Sequence, residues 1–403
     1  MNHAPALPHA AAGAPLPRAL WALIAGNFVI GTGVMVVPGT LNDISASLGI
    51  SIPQAGQLIT AAAILMGLGA PLFASVVAGW DRRRLLTLSL LWYALLMGIC
   101  ALAPNYAALL PLRVLAVIAP AIFTPQAAAS VGLLVPPAQR GRAVTFVFLG
   151  WSVASVVGLP LSAWIGSGVG WRWAFALVVV MSLASALCVW RAMPNGIRPA
   201  ALSRKSWGAT LGSAALMMAV GVTLLMSFAQ FVLFSYFAPY FVQTLGMGGG
   251  TLSLMFLWFG AFGLQGNLVL SRYIDQIGAA RAVLFLLGAI ALSLLLWPLG
   301  RLGLWQQALV LIPWAIGCFA GNSAQQARLV QHAPELASAT VALNTSALYA
   351  GQALGSALGG TMIARGQMLR LHEVGLVLMG LAMALSVWAA RRAAATAPDQ
   401  KRS

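Results

Sequence analysis

Residues 193–209 read MPNGIRPAALSRKSWGA, the longest polar stretch in an otherwise apolar chain. On each side of it the sequence breaks into six apolar runs. Crossing a hydrocarbon core of about 30 Å takes roughly 20 residues in a helix. The predicted spans before the stretch are 19–41, 54–78, 85–103, 107–134, 143–166 and 172–192. Those after it are 211–243, 251–271, 281–299, 305–327, 338–363 and 374–391. The expected fold class is therefore an all-α integral membrane protein with twelve transmembrane helices, built as two six-helix pseudo-repeats. The expected organisation is a disordered tail (1–18), a first bundle (19–192), a linker (193–209), a second bundle (210–392) and a closing tail (393–403).

Composition agrees. Of 403 residues, 61% are hydrophobic and only 7% charged, whereas soluble domains carry about a quarter charged residues. A soluble enzyme is excluded. The only acids are Asp43, Asp81, Asp275, Glu335, Glu373 and Asp399. They are too few and too scattered for paired-carboxylate catalysis or a metal cage, so no catalytic residue, metal or cofactor is expected. Cys100, Cys188 and Cys318 lie in apolar runs without a CxxC motif and read as small buried hydrophobes. The net charge of +16 would suggest nucleic acid on a soluble protein; here it is a topology signal. Seventeen of the 22 Lys and Arg fall on the side of the tails and linker, four on the other, and Arg113 lies inside a span. The positive-inside rule then puts both termini in the cytoplasm. Residues 1–17 lack a signal-peptide charge pattern, and the run after Arg18 reads as an uncleaved first span.

The halves also resemble each other. At an offset of 197, Pro137 falls on Pro334, Val144 on Val341, Gly158 on Gly355 and Arg84 on Arg281. Two parallel six-helix repeats are a known transporter plan, with the substrate between them near the midplane.

Several segments carry a family resemblance: SIPQAGQLI (51–59), GWSVASVVGLPLSAWIG (150–166), GWRWAF (170–175), SYFAPYFVQTL (235–245) and LNTSALYAGQALGSALGG (343–360). With them the chain, from about 19 to 392, resembles the major facilitator superfamily, drug:proton antiporter type, in the branch of arabinose and purine nucleoside efflux permeases. The resemblance implies alternating-access export across a bacterial inner membrane. The family's loop between spans 2 and 3 reads G-x-L-A-D-R-x-G-R-R-x; here ASVVAGWDRRRLL (74–86) keeps the basic end, Arg82 to Arg84. Ala78 and Gly79 replace the family's Asp and Arg, and Asp81 follows one turn later. The second copy, SRYIDQIGAAR (271–281), retains Asp275, Gly278 and Arg281. The resemblance makes Asp81, Arg84, Asp275 and Arg281 latch residues of the cytoplasmic face, with plain topology determinants as the other reading of the arginines. Gly158 and Pro160 belong to the Gly/Pro stripe of span 5 that the family associates with export, and small residues also simply let helices approach.

Arg113, in LRVLAVIAPA (112–121), matches the family's span-4 arginine. A charge within the membrane is costly and a functional suspect by default; snorkelling to the interface is its bland alternative. Relatives carry a span-1 acid in G-T-x-E/D, and NFVIGTGVMVVPG (27–39) has none. His3, His9, His332 and His372 all fall in tails or loops. Coupling is therefore expected either through Asp43 and Arg113 near the outer end, or not at all.

The remaining intramembrane polar groups are uncharged: among them Asn27, Gln126, Gln230, Tyr236, Asn322, Gln325, Gln326, Asn344, Ser346 and Tyr349. The expected substrate-binding set is Asn27, Gln126, Gln230, Tyr236, Asn322, Gln326 and Asn344, on helices that line the cavity in the family the chain resembles. Amides and phenols suit a small neutral or aromatic molecule: a sugar, a nucleobase or nucleoside, or a drug-like compound. The expected partners are that solute, protons in the coupled form, and the lipid bilayer; the chain is expected to act as a monomer. A proton-independent facilitator or an importer of the same fold is the alternative. A membrane receptor or intramembrane enzyme lacks the soluble domain or reactive constellation it would need.

Overall fold

The structure is a computed structural model of the chain and describes residues 17–77, 79–136, 140–198, 204–333 and 336–396. It is helical throughout the described residues. Eleven helices among them are long and apolar enough to cross a membrane. The twelfth is Ala337–Ala364, 28 residues long. Asn344, Thr345, Ser346, Tyr349 and Gln352 lower its hydropathy, which places it among the buried helices rather than the lipid-facing ones. The twelve-span fold is thus present.

The spans are numbered in chain order. Spans 1 to 3 are Arg18–Gly39, Ile52–Val76 and Arg82–Ala101. Span 4 is two helices, Tyr106–Ala116 and Ile118–Leu134. Span 5 runs through Arg140–Val153, a π-turn Ala154–Gly158 and Leu159–Val169. Span 6 is Trp171–Ala192. Span 7 is again two helices, Ala214–Phe234 and Phe237–Leu245. Spans 8 to 12 are Gly249–Ile277, Ala279–Leu296 with a 3-10 turn Trp297–Leu302, Leu304–His332, Ala337–Ala364 and Leu371–Thr396.

Three irregularities share one cause. Proline has no N–H to give the carbonyl four residues back. Pro120 abandons Ala116, where the first helix of span 4 ends; Pro239 abandons Ser235, just past the first helix of span 7. Pro160 abandons Val156, inside the π-turn, where the Leu159 N–H bonds the Ala154 carbonyl instead. Pro125 and Pro313 sit inside continuous helices, so proline permits a break and packing decides it.

Arg204–Gly212, which overlaps the linker stretch, is helical, and Ser213 caps the next helix through its bond from the Leu216 N–H. Some expectations are corrected. His372 is not in a loop but in the first turn of span 12, buried. The repeat has no single offset. It is 197 where Asp81 and Gly278 begin spans 3 and 9. In spans 5 and 11 it is 201. A Cβ on Gly150 would press on the Ile24 carbonyl and Phe28 nitrogen, and one on Gly351 on the Leu224 carbonyl and Phe228 nitrogen. The partner of Gly158, which faces Thr32, is thus Gly359, which faces Val232, and not Gly355. The connecting segments differ in length, which a rigid slide cannot absorb. The Pro137–Pro334 match lies outside the described residues.

Two apolar cores follow the two halves. They exchange a few residues: Tyr236 packs in the first core, while Met35, Leu159 and Ala163 pack in the second. Spans 2 and 11 cross each other, as do spans 5 and 8. The end of the bundle away from the termini, here the far end, is closed. There the short helix Leu41–Leu48 meets Phe237–Leu245, and Gly249 leaves room for Ser167.

Candidate functional site

Each half has one polar knot where its first, fourth and fifth spans meet. In the first half, Asn27 Nδ2 donates to the Val147 carbonyl (3.1 Å) and Thr124 Oγ1 donates to Asn27 Oδ1 (2.9 Å). Trp151 Nε1 donates to Thr124 Oγ1 at 3.3 Å. Asn27 is fully buried, and both ends of its amide are occupied by its own bundle. Although expected to bind substrate, it ties helices together here.

The second half is built at the same seam with a different balance. Thr223 Oγ1 donates to Asn344 Oδ1 (2.5 Å), and Gln325 Nε2 donates to Thr223 Oγ1 (3.2 Å) and to the Ala219 carbonyl (2.6 Å). Gln230 Nε2 donates to the Met226 carbonyl at 3.3 Å. Among the buried polar atoms without a hydrogen-bond partner on these spans are Gln230 Oε1, Asn322 Oδ1, Gln325 Oε1, Asn344 Nδ2 and Ser346 Oγ. A buried polar atom without a partner costs about 1–3 kcal/mol. These atoms lie on spans 7, 10 and 11. Gln126 is buried and Gln326 half-buried, and neither side chain has a hydrogen-bond partner among the described residues.

Hydrogen bonds join Asn344 to Thr223 and Thr223 to Gln325; Gln230 bonds the backbone of its own helix. Gln325 and Ser346 are readable in the sequence as intramembrane polar groups but not separable from their neighbours. Thr223 carries no signal there, because a helical threonine ordinarily bonds its own backbone four residues back.

Tyr236 lies elsewhere than expected. It is buried in the seam between halves at the far end, donating to the Ser356 carbonyl at 2.8 Å. A Cβ on Gly56 or Gly360 would strike its hydroxyl. Ser356 Oγ accepts from Thr60 Oγ1 (2.9 Å) and donates to the Gly56 carbonyl (3.3 Å). Spans 2, 7 and 11 are thereby clasped.

Arg113 is buried. Its Nη2 donates to the Val34 carbonyl (3.3 Å), its Nη1 reaches Met97 Sδ (3.5 Å), and its Nε has no partner. Asp43, in the first turn of Leu41–Leu48, packs its carboxylate where a Cβ on Gly166 would stand. Burial raises its pKa above the ordinary aspartate value, and a backbone hydrogen bond partly opposes this. No described contact joins Asp43 to Arg113.

The loop between spans 2 and 3 fastens to the start of the linker. Asp81 caps span 3, accepting from the Arg84 N–H (3.2 Å), and its other oxygen accepts from the Gly196 N–H (2.6 Å). The Arg82 N–H donates to the Ile197 carbonyl (3.0 Å), and Arg83 donates to Asn195 Oδ1 (3.1 Å). These partners all lie in the linker next to span 6, so Asp81 holds the linker here. Arg281 is exposed in the first turn of span 9, and the Asp275 side chain lies outside the described ones. Gly158 admits Thr32 against span 1, and Pro160 sets the π-turn.

Comparison with known proteins supplies the family. The sequence model of the Major Facilitator Superfamily matches residues 23–360. The chain is 32% identical over 288 residues to the chloramphenicol resistance protein of Streptomyces lividans, covering 70% of this chain and 74% of that one. It is 28% identical over 376 residues to the inner membrane transport protein YdhP of Escherichia coli (strain K12), covering 93% and 96%. Among solved structures, a D-xylose–proton symporter superposes with a TM-score of 0.72 at 16% identity, over 92% of this chain and 96% of that one; at that identity the likeness concerns the fold alone.

Proposed function

The chain belongs to the major facilitator superfamily, a family of multi-pass membrane transport proteins rather than enzymes, and from that premise we propose that it exports small neutral or aromatic molecules by alternating access. The bundles 19–192 and 210–392 are the two moving bodies, the linker 193–209 and both termini are cytoplasmic, the membrane is the bacterial inner membrane, and the working unit is a monomer. The observation that carries the substrate class is the unpartnered amide and hydroxyl atoms of Gln230, Asn322, Gln325, Asn344 and Ser346. They offer both donors and acceptors and no formal charge, which suits a sugar, a nucleobase or nucleoside, or a drug-like compound. Export is supported by the similarity to a chloramphenicol resistance protein.

The coupled form of the proposal is proton antiport with Asp43 as the carrier and Arg113 as the group that answers it. Asp43 is half-buried with a raised pKa, as a proton carrier must be. The second reading, proton-independent facilitation or import, is favoured by the lack of any acid in NFVIGTGVMVVPG (27–39). Accumulation of labelled nucleobases, sugars and hydrophobic drugs is measured in cells with and without the protein. Lower accumulation of at least one class is expected with it; equal accumulation across the panel rejects export. In proteoliposomes an imposed pH gradient is expected to drive transport of that solute, and Asp43→Asn is expected to abolish the gradient dependence. Gradient-independent wild-type transport selects the second reading.

A further inference from the structure

Arg84 takes no part in the linker anchorage made by its neighbours. It stands at the mouth of a groove of about 540 Å³ on the outer surface of spans 3 and 6. The walls are Leu88 and Leu91 on one helix and Leu183 and Leu187 on the other, each between two-fifths and just over half exposed. The spacing 84, 87, 88, 91 on span 3 meets 183, 186, 187, 190 on span 6, one stripe from each of two antiparallel helices. Seven residues at 1.5 Å make a channel of about 10 Å along the membrane normal. Thr87 and Ala186 form its floor, and Thr87 Oγ1 has no hydrogen-bond partner.

The two ends of the groove differ. The lower wall is hydrocarbon. The mouth holds Arg84 and Trp190, with the Arg83 guanidinium 4.3 Å over the Trp190 ring. Trp at that level is the usual marker of the headgroup interface. Arg82, Arg83, Arg84 and Arg191 gather at this end of the two spans, and Arg84 gives its guanidinium to no described residue. A second surface groove, on spans 5 and 6, is lined by Ile165, Val169, Trp173, Ala176, Leu177 and Val180, none of them charged. A hydrocarbon channel closed by an available guanidinium matches one molecule in a bilayer: a glycerophospholipid with a net negative headgroup.

We propose that the groove between spans 3 and 6 is a binding site for an anionic phospholipid, with one acyl chain along Leu88, Leu91, Leu183 and Leu187 and the phosphate on Arg84. Arg83, held on Trp190 and Asn195, adds field without leaving the linker. A lipid seated there touches Arg84, whose backbone N–H the Asp81 carboxylate caps, so occupancy and the linker anchorage share one turn of helix.

The test is native mass spectrometry of the full-length protein titrated with dioleoylphosphatidylglycerol or dioleoylphosphatidylcholine. One phosphatidylglycerol is expected to be retained about fivefold more tightly than phosphatidylcholine, the effect of about one basic residue near an anionic surface. Arg84→Gln is expected to erase that preference. Leu187→Trp, which fills the channel and keeps the charge, is expected to weaken both lipids. Melting in detergent confirms that each variant is folded; both positions are at the surface. Equal retention of the two lipids by the wild type, an unchanged preference in Arg84→Gln, or a dimer that Leu187→Trp dissociates would each overturn the proposal, the last in favour of a second copy of the chain on this face.

Discussion

Asn27 and Asn344 sit on the same seam of their respective bundles and differ in one property: whether the amide is fully used. Asn27 gives and accepts within its own bundle, whereas Asn344 Nδ2 has no partner. The two should therefore respond differently to alanine. Asn27→Ala is expected to lower stability by about 1–3 kcal/mol, since it removes the acceptor of the buried Thr124 hydroxyl and a second donor to the Val147 carbonyl, and to leave the transport of the surviving protein unchanged. Asn344→Ala, which removes the acceptor of the Thr223 hydroxyl, is expected to cost some stability as well but to impair transport in the protein that remains folded. Paired thermal melts and proteoliposome flux read both, and the same response from both variants would dissolve the distinction. Asp43 is a residue-scale case with a pH sign. Its folded pKa is raised by burial, so the folded protein holds this proton more tightly than the unfolded chain does. Packing around Gly166 gains as pH falls through the raised value and loses as pH rises above it. Asp43→Asn should flatten that dependence in melts taken from mildly acid to neutral pH; an unaltered slope would show that the carboxylate is not responsible.

At the scale of elements, the glycines separate contacts within a half from contacts between halves. Gly351 fits against the backbone of span 7 in its own bundle, whereas Gly260 in span 8 meets the backbone of Val156 in the other bundle. Gly351→Leu must overpack one bundle and should cost about 1–3 kcal/mol of stability. Gly260→Val should leave each bundle intact and obstruct the approach of spans 5 and 8, so that transport falls more than the melting temperature does. If both variants melt early and to the same extent, the seam is not a separable contact. The proline breaks belong to the same scale. Pro120, Pro160 and Pro239 interrupt their spans and Pro125 and Pro313 do not. A missing N–H is local information, but whether the freed carbonyl finds another partner depends on the helices around it.

For the whole molecule, the clasp of Tyr236, Ser356, Thr60 and Gly56 closes the far end across spans 2, 7 and 11. Tyr236→Phe should loosen it. With Cys100, Cys188 and Cys318 replaced by serine, a cysteine at Val34 should label faster from the far side in the Tyr236→Phe background; an unchanged rate would remove the clasp from the gate. The number of spans and the family followed from the sequence by itself, because solvation in lipid acts on each 20-residue window separately and leaves its mark in local composition. The sequence also showed which polar residues enter the membrane. Only the tertiary structure decided what surrounds them: that Asn27 is satisfied and Asn344 is not, that Tyr236 faces the seam, that Asp81 holds the linker, and that Arg84 lines a groove between spans 3 and 6. The reason is physical. Hydrophobicity adds up along one helix, but the satisfaction of a hydrogen bond is a relation between atoms on different helices more than a hundred residues apart in the chain, as with Thr223 and Asn344, and no single window of sequence contains both partners.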